Sequence, residues 1–139
     1  MNTIPVEAII LNWKKPADTL ACLQALGDQL PVVVVDNGSG DDSLGLIRSA
    51  RPDVPLLALD ENRGSTGGNN AGIQWALAQN CEWILLLNDD VILARGALEA
   101  MLAAGRGRPR AGFVGPLVLH AQPAGLIQSA GGWLDNRWR

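Results

Sequence analysis

Val32-Val33-Val34-Val35-Asp36-Asn37-Gly38-Ser39 decides the fold: four consecutive β-branched residues run straight into an acidic, amide- and glycine-rich turn. A strand with one wet face alternates apolar and polar residues, whereas one covered on both faces is apolar throughout. Val32–Val35 therefore reads as a strand inside a parallel sheet. Upstream, Val6-Glu7-Ala8-Ile9-Ile10-Leu11 is a second such run. Between the two, a segment from about Pro16 to Leu26 opens on a proline suited to a first helical turn. It carries Leu20, Leu23 and Leu26, with Ala17 and Ala21, at three- and four-residue spacing, which predicts an amphipathic helix. Downstream, the pattern predicts a short helix over Asp42 to Ser49, a third strand over Val54 to Leu59, a longer helix over Thr66 to Gln79 and a fourth strand over Trp83 to Leu87. A helix near Ala97–Ala104 and a strand near Phe113–Leu119 follow, joined by Gly105-Arg106-Gly107-Arg108-Pro109-Arg110. Strands alternating with helices imply an α/β fold: a mostly parallel sheet, helices on both faces, right-handed crossovers, and ligands at the carboxyl ends of the strands.

Composition narrows the partners. With 139 residues, 47% of them apolar, the chain can bury roughly two-thirds of its unfolded surface without disulfides or structural metal. Eleven basic against 14 acidic side chains, with no basic stripe, argue against nucleic acid as a partner, because duplex binders need Lys and Arg to displace backbone counterions. No apolar run approaches the roughly 18 residues of a membrane span, and Met1–Pro5 lacks the regions of a signal peptide, so the expected location is cytoplasmic. Cys22 and Cys81 stand alone and read as reduced, packed thiols. His120 reads as a packing or surface residue, with no orienting partner in sight. Trp13, Trp75 and Trp83 read mainly as core, with a place lining a ligand pocket the alternative for Trp13.

Three polar clusters fall at strand ends. Asp36-Asn37-Gly38-Ser39 is either an Asx turn or a carboxylate that accepts hydrogen bonds from a nucleobase imide or a ribose hydroxyl. Asp60 to Gly72 runs from a strand into a helix with four glycines in Gly64–Gly72. Glycines allow close backbone approach, free amides at a helix start favour an anion, and Arg63 adds a bidentate phosphate contact. The plain alternative is a glycine-rich loop with Thr66 or Asn69 as cap and Gly72 as a close-packing point. It is neither a Walker loop nor a dinucleotide fingerprint. The third cluster, Asn88-Asp89-Asp90, places adjacent carboxylates after an apolar strand; they repel unless a cation intervenes, and oxygen ligands suit Mg²⁺ or Mn²⁺. A charged turn is the alternative. Together the clusters describe a nucleoside-diphosphate site.

VVVVDNGS (32–39), NRGSTGGNNAG (62–72) and WILLLNDDV (83–91) resemble the family 2, GT-A-fold glycosyltransferases, most of all their bacterial rhamnosyltransferase-like members, over about residues 6–119. The resemblance implies that Asp36, with Asn37, meets base or ribose. It also implies that Asn12 lies near the nucleotide, and that Arg63 with Gly67, Gly68 and Asn69 holds base or phosphate. Asn88-Asp89-Asp90 would be the Asp-x-Asp equivalent, with Asp90 the ligand of Mg²⁺ or Mn²⁺ and Asn88 facing ribose or a metal-bound water. The motif's first position is Asn instead of Asp, and no aromatic follows the first glycine of the loop. The implied reaction is inverting transfer of a sugar from a dTDP- or UDP-linked nucleoside-diphosphate sugar to a carbohydrate or lipid-linked saccharide acceptor, in cell-wall or polysaccharide synthesis. Its expected domain plan is a donor-binding domain over residues 1–119 and an incomplete acceptor part over 120–139. The catalytic base is expected beyond residue 139, Asp135 lying too close to the metal motif, so this chain reads as a donor-binding fragment. A non-catalytic nucleotide-sugar binding domain and a sugar nucleotidyltransferase are the alternatives; the latter needs a glycine-rich loop after the first strand, where Asn12-Trp13-Lys14-Lys15-Pro16 has no glycine. Arg106, Arg108 and Arg110 read as a solvated loop, with peripheral contact to anionic lipid headgroups at the inner membrane face the alternative. Trp133 and Trp138, left exposed, would promote self-association.

Overall fold

A computed structural model describes residues 6–131, which divide into two compact units at the Ile92–Leu93 bond. In the first, β1 (Val6–Asn12), α1 (Pro16–Leu26), β2 (Val32–Asp36), α2 (Ser43–Ala50), β3 (Leu56–Ala58), α3 (Gly64–Ala78) and β4 (Trp83–Asn88) build a four-stranded parallel sheet in the order β3-β2-β1-β4. The chain steps outward from β1 to β2 to β3 and then returns past β1 to β4. With right-handed crossovers, that reversal sends α3 to the face opposite α1 and α2. It also opens the crevice between the carboxyl ends of β1 and β4, where doubly wound sheets bind ligands.

The two faces read directly from the register. Ile9 pairs with Val33 and Leu11 with Val35, and these pack with Ala76, Ile73 and Trp75 of α3. Ala8 and Ile10, aligned with Val32 and Val34, point the other way, towards the helix face that buries Leu23, Leu26 and Ile47. All four valines of β2 are buried, as a strand sandwiched between helix layers requires.

Five local expectations shift. The buried stripe of α1 is Thr19, Cys22, Leu23 and Leu26, rotated from the expected one, while Ala17 and Ala21 face solvent. Strand β3 is shorter than Val54–Leu59 because Pro55 has no N–H to give the ladder, although its carbonyl accepts from Val34 N at 3.0 Å. Helix α3 begins at Gly64, not Thr66, which turns most of the expected glycine loop into helix. In the second unit α4 (Ala97–Arg106) is followed by β5 (Val118–Leu119) and β6 (Ile127–Ser129), an exposed antiparallel pair. The long strand expected over Phe113–Leu119 is thus only its last two residues, since Gly115-Pro116 interrupts it and Phe113 is exposed. Trp13, expected mainly in the core, is half-exposed just past the end of β1, with Lys14 Nζ 5.5 Å from the ring centroid; Trp75 and Trp83 are partly buried. Trp133, Asp135 and Trp138 lie outside the described residues.

Candidate functional site

Parallel register brings the polar clusters to one edge of the sheet. Asn12 at the end of β1 is aligned with Asp36 at the end of β2, and Asn88 at the end of β4 with Leu11. Asp36 is only 5% exposed and is held on three sides. Its Oδ1 accepts from Asn12 Nδ2 and from Ser39 Oγ, both at 2.6 Å, and its Oδ2 accepts from Ser39 N at 3.1 Å. Asn12, fully buried, gives a second Nδ2 contact to Ser39 Oγ at 3.3 Å and takes the Thr19 hydroxyl on Oδ1 at 2.9 Å. The backbone N–H of Lys14 donates to Ser39 Oγ at 2.9 Å, which holds the β1–α1 turn where Lys14 takes a positive φ of 58°. Both Nδ2 protons of Asn12 are thus spent on Asp36 and Ser39, and its Oδ1 holds Thr19.

Asn37 performs a different task. Its Oδ1 accepts from Arg63 N at 3.0 Å, and its Nδ2 donates to Asn62 Oδ1 and the Gly64 carbonyl, both at 3.1 Å. It ties the end of β2 to the turn that launches α3. Gly38 is obligatory beside it, since φ is +66° and a Cβ would run into the backbone of Glu61 and Asn62. The exposed Arg63 precedes α3, and Gly67, Gly68 and Asn69 sit in its first two turns. Gly68 is buried, and a Cβ there would meet Leu11 Cδ1 and Asn37; a Cβ at Gly72 would lie 2.5 Å from Ile9 Cγ2. These two glycines let α3 lie close on β1 and β2, the packing role expected for Gly72.

At the end of β4, Asn88 and Asp90 are exposed and Asp89 half-buried. Burial raises the Asp89 carboxyl above its usual range, Lys15 opposes that, and the negative Asp90 and Asp18 add to it. Beneath them the buried Cys22 thiol, 3.8 Å from the Asn88 carbonyl, is pushed up to about 11 by burial first and then by Asp89 and Asp90. Among the described residues no three His, Cys, Asp or Glu side chains converge as a metal cage. Two adjacent carboxylates still suit a hard cation that draws its other ligands from water and phosphate oxygens.

Thr19 and Ser39 are the members of the network around Asp36 to which the sequence assigned no separate role. Thr19 carried a signal: a hydroxyl on the buried stripe of α1 needs a partner.

A sequence profile described as "Glycosyl transferase family 2" matches residues 8–134. The N-acetylglucosaminyl-diphospho-decaprenol L-rhamnosyltransferase of Mycobacterium tuberculosis is 29% identical over 131 residues, which cover 84% of this chain and 41% of the relative. The succinoglycan biosynthesis protein ExoO of Rhizobium meliloti is 34% identical over 109 residues, 73% of this chain and 30% of its own length. Thus the chain spans well under half of these relatives. The crystal structure of S. aureus TarS 1-349 in complex with UDP-GlcNAc shares the fold, with a TM-score of 0.54 at 21% identity over 75% of this chain and 32% of that one. The parallel sheet, the polar strand ends and the profile match converge, and the chain belongs to glycosyl transferase family 2.

Proposed function

We propose that this chain is the donor-binding part of an inverting glycosyltransferase that takes a UDP- or dTDP-linked sugar and delivers it to a hydroxyl of a carbohydrate or lipid-linked saccharide. One observation supports this reading above the rest. The parallel register aligns the Asp36 and Asn88–Asp90 strand ends across β1, two strand spacings or about 10 Å apart, a span suited to a nucleoside at one end and its diphosphate at the other. Asp36 accepts from base or ribose, with Trp13 offering a half-exposed ring face one residue past Asn12. Arg63, exposed ahead of α3, meets phosphate oxygens, and the first amides of α3 favour the same charge. Asp90, with Asp89 beside it, would hold Mg²⁺ or Mn²⁺, and Asn88 would face ribose or a water on that cation. When bound, the cation neutralises the diphosphate leaving group. In the transfer the acceptor oxygen bonds the anomeric carbon as the bond to the diphosphate oxygen breaks, and the acceptor proton passes to a carboxylate base.

The names of relatives that act on a decaprenol-linked saccharide support a lipid-linked acceptor. Work at the inner membrane face is compatible with the exposed Arg106, Arg108 and Arg110, and among the described residues no helix is long and apolar enough to cross a membrane. Calorimetric titration of UDP, dTDP and GDP, with and without Mn²⁺, on protein shown to be folded by circular dichroism, tests the proposal. Metal-dependent binding of one uridine or thymidine diphosphate is expected; absent or metal-indifferent binding by folded protein would overturn it.

A further inference from the structure

We propose that Thr19, Asn12 and Ser39 form a positioning relay that leaves Asp36 one acceptor site, so that the donor nucleotide meets this carboxylate through a single hydrogen-bond donor. The inference rests on the proposed role of Asp36 in nucleotide binding and says how that role is shaped.

Each proton in the network has one consistent assignment. Lys14 N–H can only donate, so Ser39 Oγ accepts it and turns its own proton to Asp36 Oδ1. The Thr19 hydroxyl donates to Asn12 Oδ1, which orients the Asn12 amide with both Nδ2 protons towards Ser39 and Asp36. Reversing that amide would aim its carbonyl at the carboxylate. Oδ1 of Asp36 therefore has both lone pairs occupied, while Oδ2 has accepted one contact, from Ser39 N, and among the described residues keeps one free. A carboxylate grasped in this way cannot take two donors side by side, the pattern that a guanine edge presents with its N1–H and N2–H. It takes one, a pyrimidine imide N–H or a ribose hydroxyl. Thr19 is fully buried on α1 and touches no ligand itself; it acts through Asn12.

The test compares UDP, N3-methyl-UDP and 2′-deoxy-UDP by calorimetry with Mn²⁺ on the wild-type chain and on Thr19→Val, Thr19→Ser and Asp36→Ala, each checked by thermal melting. Thr19→Val is expected to bind UDP about fivefold more weakly, the size of one neutral hydrogen bond, and Thr19→Ser to stay within about twofold of wild type. Wild type should lose affinity for one of the two analogues through Asp36, and that loss should vanish in Asp36→Ala; which analogue it is tells imide from hydroxyl. Wild-type affinity in folded Thr19→Val, or Thr19→Ser as weak as Thr19→Val, overturns the relay. So does a result in which both analogue penalties disappear with Asp36, since two donors would then share the carboxylate. If Thr19→Val does not fold, Ser39→Ala carries the same expectation. Unchanged UDP affinity in Asp36→Ala instead removes Asp36 from the site and with it the reading beneath the relay. A loss there beside none in Thr19→Val removes the relay alone.

Discussion

Asp90 stands exposed two residues past the end of β4, where the proposed cation and diphosphate would meet its carboxylate. Residues that merely hydrogen-bond to a metal's ligands are worth roughly 10- to 100-fold in affinity, so loss of the ligand itself should cost at least about tenfold. Asp90→Ala is expected to abolish the Mn²⁺-dependent part of nucleotide binding and leave the circular dichroism spectrum unchanged; retained metal dependence would contradict the assignment. Glu7 is the opposite kind of acid. It is 4% exposed in the middle of the sheet, its Oε1 has no partner among the described residues, and burial raises its carboxyl above the ordinary range. The folded state then holds this proton more tightly than the unfolded state does. The stability that goes with protonated Glu7 is complete below the ordinary glutamate range and is lost as pH rises through the raised value. Glu7→Gln should therefore melt higher than wild type at neutral pH, with the gap closing as pH falls; melts from about pH 8 down to about pH 4 check the sign.

Helix α3 lies close on β1 and β2 because glycines, Gly68 and Gly72, stand at its points of closest approach. Two glycine substitutions separate packing from helix propensity. At Gly72 a new methyl meets Ile9 and Val35, so overpacking of about 1–3 kcal/mol outweighs a helix-propensity gain of roughly 0.5–1 kcal/mol, and Gly72→Ala should destabilise. Gly45, inside α2, has nothing within 4 Å of an added Cβ, so Gly45→Ala should stabilise by about 0.5–1 kcal/mol, both read from urea midpoints. The elements of the first unit were legible because each carries its own period or its own stop signal: Val32–Val35, Pro16 and the polar strand ends. The start of α3 was not. Thr66 has the chemistry of a cap, but Asn37, twenty-seven residues before Gly64, binds the Gly64 carbonyl and the Arg63 amide and so starts the helix earlier.

On the scale of the molecule, the second unit carries exposed Phe113, Leu117, Leu126 and Ile127, with Phe113 at 85%. So many large apolar side chains left in water favour association. Sedimentation velocity of this chain should show concentration-dependent self-association that Phe113→Ser weakens; a monomer at all concentrations would refute it. By itself, the sequence determined the α/β class, the strand order along the chain and the clustering of Asp36, Arg63 and Asn88–Asp90 at strand ends, since hydrophobic period and turn chemistry are local properties of neighbouring residues. Only the tertiary structure decided what each polar group faces. Asn12 and Asn37 look alike as amides at strand ends, yet one is closed around Asp36 and Thr19 and the other around the start of α3. Their partners lie up to 27 residues away and meet them only because parallel pairing sets the ends of separate strands side by side.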